Sequence, residues 1–168
     1  MTSSLNNGFT TQKPMRSDTK LPWAFLFAVI LLPLPSSITK LKEMDSRIQS
    51  AVERKKTCNC AQAVIATYAD KVGITEEQAM NLGNAFGSGM GNMDGTCGAL
   101  TGAAIIVGLA TGDKVSSRHI MSSIMTKFKK RNGATQCRAL KGIDTHTPLR
   151  ECTDCVADAC DFLENELF

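Results

Sequence analysis

Aromatic residues are scarce in this chain, which has one Trp, one Tyr and seven Phe among 168 residues. With so few rings to stack on bases and no basic stripe in its body, the sequence gives nucleic acid little to bind, and none is expected as a partner. Histidine is nearly absent, at two residues. His119 reads as a structural or exposed helix residue, and His146, in "DTHTP", as a solvated loop residue that could at most supply a supplementary ligand or base. The strict apolar-polar alternation of strands is almost missing, as are internal repeats and coiled-coil heptads. "GSGMG" is no nucleotide loop, because it follows a helical pattern rather than a strand and has no P-loop lysine. No apolar run reaches the roughly 20 residues of a comfortable bilayer span.

The charge that is present is uneven. The net charge is +3, yet residues 1–43 hold five Lys/Arg against two Asp/Glu, and fourteen of each follow from Met44 onward. "LPWAFLFAVILLPLP", residues 21–35, follows Lys13, Arg16 and Lys20 and has the basic-then-apolar order of a secretory signal, but "LPSSITK" offers a poor cleavage site. Residues 1–43 are therefore expected to be an N-terminal appendage: a signal peptide, a short membrane anchor, or upstream sequence that is not native. "MDSRIQSAVERKK" reads as an ordinary domain start, with Asp45 capping a helix that places Ile48, Ala51 and Val52 on one face. A start at Met44 implies a cytoplasmic protein. The other readings imply export, or a membrane link through residues 21–35.

Residues 44–168 are long enough for one domain with its own core and read as all-α, a compact bundle of about five or six helices. A first helix, over 45–56, is followed by one capped at Asn59, with Ala61, Val64, Ile65 and Tyr68 inward and Gly73 as its stop. Thr75 and Gln78 form the capping box of a third. A glycine-rich loop then precedes "CGALTGAAIIVGLATG", which is apolar on nearly every side, as a buried central helix should be. The next helix aligns Ile120, Ile124 and Phe128, and its closing run of Lys127, Lys129, Lys130 and Arg131 reads as helix termination opposing the dipole. A short helix around "QCRALKG" and a final one over 149–167 complete the domain, the last turning Val156, Ala159, Leu163 and Leu167 inward.

Seven cysteines remain to be explained. The number is odd, and a domain of this size does not need disulfide staples to fold. Cys60, Cys97, Cys137 and Cys152 each fall at or near a helix start, where unsatisfied N–H groups and the positive dipole end stabilise a thiolate, which is both nucleophile and metal ligand. Around Cys97, the residues Gly95, Gly98 and Gly102 remove side-chain bulk. Gly98 and Gly102 cost helix propensity, so another helix, a second sulfur or a cofactor is expected to come close. A lone cysteine here would read as a small buried hydrophobe; four in similar positions favour a site. "CTDC" sets Cys152 and Cys155 at i and i+3, about 60° apart around a helix, so both sulfurs can face one place.

These residues resemble the C_GCAxxG_C_C family of redox-active proteins, named for four cysteines and a Cys-Gly-Ala-x-x-Gly motif. The motif stands here as Cys97-Gly98-Ala99-Leu100-Thr101-Gly102. "NCAQAV" with Cys60 matches the first cysteine, "FGSGMG" the glycine segment, "NGATQCRALKG" with Cys137 the third cysteine, and "RECTDCVADA" the fourth, taken as Cys152 with Cys155 as its substitute. Cys58, Cys155 and Cys160 are extras. The resemblance implies a redox-active cysteine cluster, either a thiol-dependent oxidoreductase exchanging with an unknown partner protein or an iron-sulfur or zinc centre. In the first case Cys97 is the expected nucleophile and Cys60, Cys137 or Cys152 resolves. In the second, Cys60, Cys97, Cys137 and Cys152, or Cys155, are the ligands, with Gly95, Gly98 and Gly102 giving the cofactor room. The competing reading, a helical domain with core cysteines, requires scattered sulfurs.

Overall fold

The structure, a computed structural model, describes residues 36–168. Among them the chain forms seven α-helices: α1 Ser36–Arg54, α2 Cys60–Thr67, α3 Glu76–Gly83, α4 Gly98–Thr111, α5 Lys114–Asn132, α6 Cys137–Leu140 and α7 Cys152–Glu166. Single 3-10 turns follow α2 and α3. The described residues hold no strand, only an isolated antiparallel bridge between Thr96 and Gln136. The fold is all-α, and the short helix α6 falls where "QCRALKG" places it. No described helix is long and apolar enough to cross a membrane, and the signal-like or anchor segment, 21–35, lies outside the described residues.

Local chemistry sets several helix starts. Asn59 accepts from the Gln62 amide at 2.9 Å while the Gln62 side chain accepts from the Asn59 amide at 3.1 Å, a reciprocal capping box that satisfies two orphan donors. Thr75 and Gln78 repeat the device ahead of α3. Gly73, in the left-handed region at φ 69°, ends the 3-10 turn after α2. The first helix differs from expectation. It begins at Ser36, and Asp45 lies inside it, accepting from Gln49, instead of capping it. No Gly or Pro interrupts the sequence between Ser36 and Arg54, so nothing stops the helix from extending past Met44. Residues 36–43, assigned by sequence to the appendage, carry contacts to the bundle: Lys40 donates to the Phe168 carbonyl and Glu43 pairs with Arg47 and Lys71.

The core gathers on α2. Every residue from Ala61 to Thr67 is buried, with α1, α3, α4 and α7 packed around this helix. α4 buries Ala99, Leu100, Ala103, Ile106 and Val107 against it but leaves Ala104, Gly108, Leu109 and Ala110 exposed, so its sequence is apolar beyond the face it buries. α7 turns Val156, Ala159 and Leu163 inward, as its periodicity predicts. α7 also begins three residues later than expected, at Cys152, because residues 142–151 form a loop tied back by the Leu149 amide to the Leu140 carbonyl. In the last turn of α5, Arg131 donates to Asp158 and Asp161 of α7 and lies 4.2 Å from the Phe162 ring centroid. The basic run therefore ends a helix and ties it to its neighbour.

Candidate functional site

Four cysteines stand at helix starts. Cys60, Cys137 and Cys152 are the first residues of α2, α6 and α7, and Cys97 is the N-cap of α4. These four and Cys155 line one cavity of about 70 Å3, whose wall also carries Lys55, Lys141 and Arg150. That volume is roughly two to three waters' worth of space, so the cavity admits a small group and no large ligand. Cys97, Cys137 and Cys155 are buried, at 5, 6 and 2% exposure. Cys60 and Cys152 are half-buried at the accessible edge. Every one of the seven cysteines is a free thiol in this structure.

The glycines of the motif explain how sulfurs from separate helices come together. A Cβ on Gly98 would lie 2.8 Å from the Phe86 carbonyl oxygen and 3.2 Å from Cys60 Cβ. On Gly102 it would lie 2.8 Å from the Ala61 carbonyl oxygen. Lacking side chains at these i, i+4 positions, α4 seats directly on the first turn of α2, and the mouth of one helix meets the mouth of the other. What approaches is thus both a helix and a sulfur-bearing residue. Gly98 lines the cavity, whereas Gly95 and Gly102, expected to make room for a cofactor, do not. The space beside Gly95 is taken by Gly89 of its own loop.

That loop holds Cys137 in place. Ser88, Met90 and Met93 all have positive φ, at 48°, 64° and 68°, a costly conformation for residues with a Cβ. It is held by hydrogen bonds from the Met93 amide to the Ser88 carbonyl and from the Gly95 amide to the Gly89 carbonyl. The loop then accepts the Cys137 amide on Gly95 and the Arg138 amide on Met93, while the Cys97 amide donates to Thr135. Asp94 completes the clip with a 2.8 Å contact to Arg138.

The thiols act on one another chiefly as two pairs, Cys60 with Cys152 and Cys97 with Cys155. A hydrogen bond with Cys60 brings the Cys152 thiol down to about 6, opposed by burial and aided by the positive charges of Lys141 and Lys55. The same bond and burial push Cys60 up. Within the other pair, a hydrogen bond with Cys155 lowers Cys97, with further help from the Ala99 and Leu100 amides. Those amides are the open donors of the first turn of α4; as a thiol Cys97 makes no capping bond, so they act on its charged form. Cys155 is pushed up by Cys97 and by burial. Cys137 is raised by burial and then by the nearby Cys97. One turn of helix gives it little dipole to offset that cost.

The structure thus brings Cys60, Cys97, Cys137 and Cys152 to one cavity, with Cys155 lining it too. The nucleophile expected by sequence, Cys97, is buried, and Cys152 is half-buried. Thiol donors suit a zinc or iron-sulfur centre by softness, but among the described residues no group of three or more Cys, His, Asp or Glu is arranged to hold one metal ion. Cys58 donates to the Arg54 carbonyl and is raised by burial. Cys160 is fully buried in the core. Both, with His119 and His146, lie outside the cavity.

No curated protein and no solved structure matches the chain. A family model described as "Putative redox-active protein (C_GCAxxG_C_C)" matches residues 58–166, from just ahead of α2 to the last residue of α7. More than half of the chain is covered, with the motif cysteine at the mouth of α4, and the protein belongs to the C_GCAxxG_C_C family.

Proposed function

We propose that this protein transfers electrons by thiol-disulfide exchange, with Cys152 as the attacking thiolate and Cys60 as its resolving partner. The observation that carries the reading is the Cys60 and Cys152 pair, half-buried at the edge of the cavity with Lys55 and Lys141 beside it. The Cys152 thiolate attacks a disulfide of the partner, forming a mixed disulfide while one partner sulfur leaves and takes a proton. The Cys60 sulfur then loses its proton and attacks Cys152, forming the Cys60-Cys152 bond and releasing the second partner sulfur as a thiol. The partner's disulfide is reduced and two protein thiols are oxidised. A thiol whose pKa lies near ambient pH is well placed for this, being largely ionised without losing nucleophilicity.

The test is trapping. Cys60→Ser protein incubated with a disulfide-bearing peptide should accumulate a stable mixed disulfide on Cys152, whereas Cys152→Ser should not react at a comparable rate. Equal trapping in both variants would remove Cys152 from its role. The metal reading draws its support from five cysteines on one cavity, and a stoichiometric metal or a sulfur-to-metal absorbance in anaerobically purified protein, lost in Cys97→Ser, would favour it instead.

A further inference from the structure

The outer pair accounts for two of the five cavity sulfurs and leaves Cys97, Cys137 and Cys155 without a role. We infer that Cys97 and Cys155 form an interior dithiol that is oxidised only through the outer pair, so that one chain stores two disulfides; this rests on the exchange reading above. Three observations support it. Cys155 and Cys97 are 2 and 5% exposed, and the cavity of about 70 Å3 is too small for a partner's disulfide to enter. Cys152 and Cys155 belong to different pairs but sit one turn apart on α7, on the same side of the helix. Cys155 lines the same small cavity as Cys97, Cys152 and Cys60.

The transfer balances without any outside reagent. Once the outer disulfide has formed, the Cys155 sulfur gives up its proton and attacks Cys152, making a Cys152-Cys155 bond and freeing Cys60, which takes a proton. The Cys97 thiolate then attacks Cys155, making the Cys97-Cys155 bond and releasing Cys152 as a thiolate. The outer pair is reduced again, and the inner pair has been oxidised by the same two electrons. A second partner disulfide can then be reduced. The CTDC sequence is therefore a bridge between two dithiols, distinct from a dithiol closed on itself.

The experiment uses the full chain, reduced and anaerobic, titrated with glutathione disulfide, with acid quenching and peptide mapping of the bonds formed. The expected result is consumption of a second equivalent after the first, ending with Cys60-Cys152 and Cys97-Cys155 bonds. In Cys152→Ser the Cys97-Cys155 bond should form roughly tenfold more slowly or worse, because the relay sulfur is gone. Uptake that stops after the outer bond, with Cys97 and Cys155 still free, would overturn the inference and leave the exchange reading standing. Formation of the inner bond at the wild-type rate in Cys152→Ser would overturn it too. Failure to form even the outer bond would overturn the exchange reading itself, and the inference with it.

Discussion

At its first residue α7 presents Cys152, half-buried, beside Lys141 and Lys55, with its thiol brought down to about 6 chiefly by Cys60. About two turns further along the same helix, Cys160 has no exposed surface, belongs to the buried hydrophobic core, and is pushed up to about 12 by burial. One sequence feature, a cysteine on a helix, has opposite chemistry at the two ends. The difference lies in what reaches each end from elsewhere: at the first, the mouths of α2 and α4; at the second, apolar side chains and Tyr68, whose hydroxyl donates to the Cys160 carbonyl at 3.2 Å.

The largest expected effect is at the sulfur end. Gly98→Ala sets a Cβ 2.8 Å from the Phe86 carbonyl oxygen, a backbone atom that cannot swing aside, and overpacking of this kind costs about 3 kcal/mol at the upper end. Thermal unfolding should show the loss, and thiol alkylation of whatever folds should show the Cys60 and Cys152 pair disturbed. If Gly98→Ala kept both stability and reactivity, the close seating of α4 on α2 would not be what assembles the site.

Cys160→Ser should act on stability alone. It buries a hydroxyl among apolar neighbours, at a cost of about 2 kcal/mol, and leaves the reactivity of Cys152 unchanged. Urea unfolding and an alkylation time course measure the two separately. A change in Cys152 reactivity would mean that the ends are coupled.

The sequence made one end of this comparison legible and obscured the other. The capping boxes at Asn59 and Thr75, and the arrival of Cys60, Cys97, Cys137 and Cys152 at helix starts, follow from local rules about orphan N–H groups and turn residues, and these could be read directly. The place of Cys155 on the cavity beside Cys97 could not. Spacing shows that Cys152 and Cys155 share a side of α7, but only the packing shows that both line one cavity with Cys60, Cys97 and Cys137. The start of α1 is hard to read because a good Asp cap and a plausible initiating Met coincide at 44–45, while no Gly or Pro between Ser36 and Met44 stops the helix. The close approach at Gly98 and Gly102 was expected from their cost to helix propensity; that the approaching group was α2, carrying Cys60, required the packing.

A pH series sharpens the comparison further. Cys152 and Cys97 are lowered in the folded state, so the stability they contribute is present in full above the unfolded thiol value of about 8.5 and is lost as pH falls through their folded values, about 6 for Cys152. Cys60, Cys155 and Cys160 are raised, so above about pH 8.5 the unfolded chain ionises these thiols, the folded one does not, and stability falls. The thiol contribution of the reduced protein should peak near pH 8.5, and protein with both sulfur pairs oxidised should lack most of that peak. Identical pH profiles for the two forms would contradict the assignments.

The smallest effect concerns the far end of the bundle. Deletion through Glu43 removes the Lys40 contact to the Phe168 carbonyl and the Glu43 pairs with Arg47 and Lys71, and exposed contacts of this kind contribute little to stability. A chain starting at Met44 should therefore melt slightly below one starting at Ser36, with the same cysteine reactivity in both. A shift in reactivity would show that α1 reaches the site.

The most direct test is the alkylation rate of each of the seven cysteines in folded, reduced protein as a function of pH, read by peptide mapping. The account predicts that Cys152 reacts first, with a midpoint near pH 6, and that fully buried Cys160 reacts last. It is contradicted if Cys152 titrates like an ordinary thiol near pH 8.5, or if all seven react at one slow rate.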